Sequence, residues 1–375
     1  MSLKQEPVNP ANGQVIPQSG SRTYAATEGT NQLAVMDVPG TDISKFMALQ
    51  GTPRRQSLEG FDPDYVDIVD YIVRVTHRIW EEKGIGLIYD TYNQDIVIHT
   101  TEGKNYGRDK VVADSMKKMA AFPDCRVIAA DVIWSGNDKD GFHSSHRIAW
   151  IGTNTGWSNY GPPTNRRATR MGVAHCLVKE NRIIEEWIAR EEMNVIWQLG
   201  LNPYELAKKA AAAEAAAGLK PPVPQNFGEI DRVFGLTTPE PLPPKPTEFE
   251  LENFIKRFFQ EVWNWRMFNI VNEYCSPNYQ SHVATNRDLY GLGDYKAYIL
   301  GLMAAFPDLM IYVDHICALG NEKDGYRVAV RWWLQGNHTG PGHYGAPSGK
   351  RIQLLGFTHF LIKDGKFVKE WTLFD

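Results

Sequence analysis

Two carboxylates stand at the same distance behind a tryptophan: Glu191 follows Trp187 by four residues, and Asp375 follows Trp371 by four. Both stretches, RIIEEWIARE and KFVKEWTLFD, read as strands, and on a strand an even spacing puts both side chains on one face. A carboxylate beside an indole in apolar surroundings loses hydration, so its pKa rises. That suits a general base removing a proton next to a carbonyl or from a hydroxyl. The competing reading is a solvated acid at a strand end. His175 and His359 occupy matching strand positions upstream, as acid–base partners or as core histidines. The face of His359 depends on the Asp364-Gly365 turn. A two-residue turn puts it opposite the Trp371 face; a three-residue turn with left-handed Gly365, the expected form, puts it on that face.

Further candidates are paired. His99 and His282 end a first strand, and Arg147 and Arg331 sit mid-strand in apolar runs. An arginine there is costly unless it is paired or faces a ligand. We expect both to point inward, to hold an oxyanion or a substrate carboxylate; the alternative is a structural pair with Asp124 or Asp308. The loops GTNTGWSNYGPP and GNHTGPGHYGAP add Asn154, His338, Tyr160 and Tyr344 as substrate contacts. His338 and His343 are spaced H-x4-H without further ligands nearby, and Cys125, Cys176, Cys275 and Cys317 form no CxxC, so no metal is expected. There is no Walker or GxSxG motif, and no cofactor is expected.

These residues recur because the chain contains one domain twice. MAAFPD stands at 119–124 and again at 303–308, and the same offset aligns 106–191 with 290–375 without a gap, with 28 identities in 86 positions. Each copy reads as an amphipathic helix (65–83 and 248–268), a short strand (96–100 and 279–284), a helix that stops before FPD (109–121 and 293–305) and four β-like runs. Helices before a long antiparallel meander imply an α+β class with a curved sheet. The divisions expected are an extended arm over 1–60, domains over 61–202 and 248–375, and a helix with a proline-rich linker over 203–247. A net charge of −4 argues against nucleic-acid binding. No apolar run is long enough to span a membrane, and MSLKQEPVNPANGQ has no signal-peptide core; we expect a cytoplasmic protein.

The series RW, G-x-H-T-G, a small-residue loop, H-F-x-x-x-D-G-K and E-W-x-x-x-D in the second copy resembles the SnoaL-like polyketide cyclases (ester cyclases) of the nuclear transport factor 2-like superfamily. The first copy departs from it, with Asn154 for His338, Glu191 for Asp375 and KEN for KDG. The resemblance implies tandem cone-shaped α+β barrels, each a curved mixed or antiparallel sheet wrapped on helices around an apolar pocket. It implies a cofactor-independent lyase, cyclase or isomerase acting on a small aromatic or polyketide-like compound. Superfamily members pair through their sheets, so an intrachain pseudo-dimer is expected, with room for a homo-oligomer. A ligand-binding or assembly module and an epoxide or ester hydrolase are the alternatives.

Overall fold

The protein is described by a computed structural model covering residues 43–101, 103–219, 241–342 and 344–374. Asp375, His343 and much of the proline-rich linker lie outside the described residues. The first domain runs α2 (Ile68–Trp80), α3 (Ile88–Thr91), β1 (Tyr92–Thr100), β2 (Gly103–Tyr106), α4 (Arg108–Ala121), β3 (Arg126–Asn137), β4 (Gly141–Thr153), β5 (Arg167–Lys179), β6 (Arg182–Arg190) and α5 (Glu192–Gln198). After α6 (Pro203–Ala216), the second runs α7 (Leu251–Arg257), a π-helical continuation (Phe258–Asn264), α8 (Val271–Tyr274), β7 (Cys275–Val283), β8 (Arg287–Tyr290), α9 (Gly291–Ala305), β9 (Met310–Asn321), β10 (Gly325–Asn337), β11 (Arg351–Lys363) and β12 (Lys366–Phe374). The sheet orders are the same, β2-β1-β6-β5-β4-β3 and β8-β7-β12-β11-β10-β9. In each, one pair is parallel, β1 with β6 and β7 with β12. The duplicated α+β domain read from the repeat is therefore present twice.

Local chemistry explains the repeated motifs. Helices α4 and α9 stop before Pro123 and Pro307 because proline disfavours a helical residue ahead of it. The aspartate of FPD then caps a strand end: Asp124 accepts from the Thr153 amide and Asp308 from the Asn337 amide, both at 2.7 Å. The repeated T-G is a packing requirement. A Cβ on Gly156 or Gly340 would lie 1.9 or 1.7 Å from the carbonyl oxygen of Ala120 or Ala304, at the end of the preceding helix.

The strand turns differ from expectation. Lys363 pairs with Lys366, and Asp364 and Gly365 have φ of 50° and 66°, so the turn has two residues, not three. A bulge in β12 then shifts the register between Leu361 and Ile362, and His359 ends opposite Trp371. The KEN turn and β6 do the same and pair His175 with Trp187. Each histidine thus shares the tryptophan face, for a reason other than the one expected.

Each sheet wraps its helices with one face and presents the other to its twin. Met171, Val173, Trp187 and Ala189 of the first domain form one apolar cluster with Trp333, Leu355, Phe357 and Leu373 of the second. The N-terminal segment is not an extended arm where it is described. One-turn α1 (Ser44–Met47) and the residues after it bury Phe46, Leu49 and Leu58 in the first domain's core. Among the described residues no helix is long and apolar enough to cross a membrane.

Candidate functional site

Strand parity decides where the predicted residues fall. Along β10, Val328, Val330, Trp332 and Leu334 join the second barrel's core, while Arg327, Arg331 and Trp333 face the other way. Arg147 and Arg331 therefore do not point into the barrels as expected. Each guanidinium lies over a tryptophan of the opposite domain, Arg147 4.0 Å from the ring centroid of Trp371 and Arg331 3.5 Å from that of Trp187. The outer face spares a charge from an apolar barrel and supplies a cation–π partner. Arg331 also donates to Asp314 at 2.5 Å.

His175, His359 and Glu191 lie on the same outer surfaces. His359 Nε2 is 2.8 Å from Ser145 Oγ across the interface, and His175 Nε2 is 3.3 Å from His143 Nδ1. Burial pushes both His175 and His359 well below the usual imidazole range. Glu191 accepts from the Met171 amide at 2.9 Å and, across the interface, from the Asn286 amide at 3.2 Å. His99 pairs with Glu185 at 2.6 Å and stacks on Trp187. His282 pairs with Asp288 at 2.8 Å on the β7–β8 hairpin. Asn154 is spent on its own loop, bonding Gly156 O at 2.9 Å and the Thr164 amide at 2.9 Å. His338 meets Ser348 Oγ at 3.2 Å, and Tyr344 packs beside Phe306. The structure thus brings Arg147, Arg331, Trp187, Trp371, His175, His359 and Glu191 together between the domains, whereas Asn154, Tyr160, His282, His338 and Tyr344 are held by partners within their own domains.

The inner face of the first barrel carries a different group of residues. On β6, Glu186 pairs with Cys176 of the core and Arg190 with Gly172; both lie one residue off the tryptophan face. On α4, Lys118 continues the inward stripe of Val111 and Ser115, spaced four and then three residues apart. Arg170 of β5 lies 4.7 Å over Trp150 and forms an ion pair with Glu192, which also accepts from the Tyr160 hydroxyl. By surface Lys118 is exposed and Arg190 half-buried, so both side chains reach solvent rather than lying in a closed core.

The electrostatics of this group are strongly coupled. Arg190, then burial, then Arg170 bring Lys118 down to about 7. Burial raises Glu186, against the pull of Arg190 and Lys118. Burial would also raise Glu192, but Arg170, Tyr160, Arg190 and Lys118 together bring it to about 2. One acid is therefore locked as an anion, one is held toward the protonated form, and one amine titrates near neutrality. Such divergent settings are the kind that acid–base chemistry uses, and structural ion-pair networks produce them too.

The second barrel keeps the acid and loses the cations. Glu370, the counterpart of Glu186, is 2% exposed and accepts from Tyr279 at 2.6 Å and from Ser281. Burial raises it to about 7 against these hydroxyls and Thr372. By the same offset Lys118, Arg170 and Arg190 become Leu302, Leu354 and Phe374. Trp332 fills space that Ile148 leaves in the first barrel, its indole donating to Thr358 at 3.0 Å.

The profile of the SnoaL-like polyketide cyclases matches residues 70–199 and 253–375, one match for each barrel. The chain belongs to this family. Among solved structures it is similar to a candidate SnoaL-like polyketide cyclase from Jannaschia sp. CCS1, with 21% identity over 35% of this chain and 92% of that chain, at a TM-score of 0.31. It is similar to TsrD from Streptomyces laurentii, with 20% identity over 34% and 92%, at 0.30. It is also similar to a SnoaL-like polyketide cyclase from Agrobacterium tumefaciens, with 16% over 34% and 93%, at 0.28. A comparison with curated protein sequences finds no match. Sequence reasoning passed over Glu186 and Glu370, although each directly precedes its tryptophan and is identical in both copies. That identity was the available signal.

Proposed function

We propose that the chain is a cofactor-independent cyclase, lyase or isomerase whose working pocket is the first barrel. The observation that carries this is the inner group Glu186, Lys118 and Arg190, with its displaced proton affinities. Its substrate is a small enolisable compound of aromatic or polyketide type. Lys118, Arg170 and Arg190 outnumber Glu186 and Glu192, so the pocket favours an anion, either a substrate carboxylate or phenolate or the enolate formed during reaction. Glu186 takes the proton next to the carbonyl, and Arg190 steadies the developing oxyanion. Lys118, poised near neutrality, returns a proton to oxygen or carbon. Glu192 is held as a fixed anion by Arg170 and Tyr160 and positions Arg170. The second barrel, with its apolar filling and single buried acid, supports a scaffolding role, which answers to the binding-module alternative for that copy alone.

The test is deuterium exchange at the α-carbon of aryl β-diketone probes, followed by NMR. Glu186→Gln should slow exchange by about 10²–10⁴, while Glu191→Gln stays near the parent rate. Loss of exchange in Glu191→Gln with Glu186→Gln unaffected would return the chemistry to the interface. Ester or epoxide turnover without exchange would favour the hydrolase.

A further inference from the structure

The two interface histidine sites are pseudo-equivalent, but they are not built alike. By the repeat offset, His175 corresponds to His359, His143 to Arg327, and Asp131 to His315. One site holds Asp131, Arg327 and His359 around a small cavity, with Arg327 and Asp131 joined as a buried ion pair. At the other, both members of that ion pair are histidines. His143, His175 and His315 come from β4, β5 and β9, so the cluster draws on both domains.

We propose that His143, His175 and His315 bind one divalent transition-metal ion, tying the two barrels together. One ligand atom from each residue lies within 4.8 Å of the others. A tetrahedral zinc site with Zn–N bonds of about 2.0–2.1 Å has nitrogen–nitrogen edges of about 3.3 Å. His143 Nδ1 and His175 Nε2 already stand 3.3 Å apart. Closing the longest gap takes at most about 1.5 Å, within the reach of side-chain rotation. His315 Nδ1 lies 3.5 Å from Cys317 Sγ, itself 3.3 Å from Ser135 Oγ. This outer partner orients the ring to ligate through Nε2. Burial holds all three rings in the neutral form that a metal takes. The nearby Arg331 is already compensated by Asp314 and stacked on Trp187.

Imidazole-only ligation suits zinc, copper or nickel rather than magnesium or calcium. His143 is only half-buried, so the fourth position is left to water. The expectation of no metal rested on short-range ligand spacing, which cannot detect ligands gathered from three strands of two domains.

The twin site supplies the control. The double variant His143→Arg, His315→Asp installs the ion pair that the same fold already carries at the equivalent place. Full-length protein freed of metal should take up one zinc per chain. With cobalt(II) it should show the visible absorption bands of a tetrahedral site. The double variant should stay folded by circular dichroism and lose zinc affinity by at least about 100-fold. If it fails to fold, His143→Gln at the half-buried position reads the same loss. Absence of saturable one-to-one zinc binding in the parent, or its retention in these variants, overturns the proposal.

Discussion

Replacing Glu370 with glutamine should stabilise the protein at pH 8 and leave it nearly unchanged at pH 5. Glu370 is buried inside the second barrel with its proton affinity raised to about 7, against an ordinary value of 4.5. Between those values the folded state holds a proton that the unfolded chain has released. Stability therefore falls as pH rises through that window and levels off above pH 7. A displacement of about 2.5 units at 1.36 kcal/mol each makes the total about 3 kcal/mol. Glutamine resembles the neutral acid, with one acceptor oxygen and one donor group, so Tyr279, Ser281 and Thr372 need only reorient hydroxyls. That costs about 1 kcal/mol at most. The net gain at pH 8 is about 2 kcal/mol, read as a higher urea midpoint by tryptophan fluorescence. A variant less stable than the parent by a similar margin at pH 5 and at pH 8 would show that the folded barrel holds a carboxylate anion, and the reasoning would fail.

Two further substitutions test the packing. Asp131→Asn strands the buried Arg327 charge between the domains. It should cost about 3–5 kcal/mol in thermal or urea denaturation, while Asp131→Leu with Arg327→Met recovers most of that; equal losses in both would refute the assignment. Gly356→Ala would place its Cβ 2.2 Å from the Trp332 ring and should cost about 1–3 kcal/mol. Adding Trp332→Ile, the residue type the first barrel pairs with Gly172, should restore the urea midpoint.

The fold was legible because duplication exposed it. An ungapped run of 86 positions, the FPD stops and the Gly-rich loops placed nearly every element, although β2 and β8 were missed as short polar hairpins. The site was less legible, and the reason is parity. Even spacing correctly tied Trp187 and Glu191 to one face, but nothing in the spacing said which face was inside. The Trp-rich stripe looked like a pocket lining because an interface core between two barrels has the same composition as a barrel core. The inward acids Glu186 and Glu370 sat one residue away. The cationic lining of the first barrel came from α4 and β5, elements with no individual motif. The three-histidine cluster needed the docking of two domains, which no local pattern encodes.

The most direct test of the account is the titration of Lys118. Lysines would be reductively methylated with a ¹³C label and followed by NMR across pH 5–11, with Lys118→Met assigning its signal. Arg190 and Arg170 crowd that amine within the first barrel, so the account predicts a signal titrating at about 7. It also predicts that Arg190→Met moves this midpoint upward, because the largest cause of the shift is removed. A Lys118 signal titrating with the surface lysines near 10.5, unmoved by Arg190→Met, would contradict an electrostatically built pocket in the first barrel.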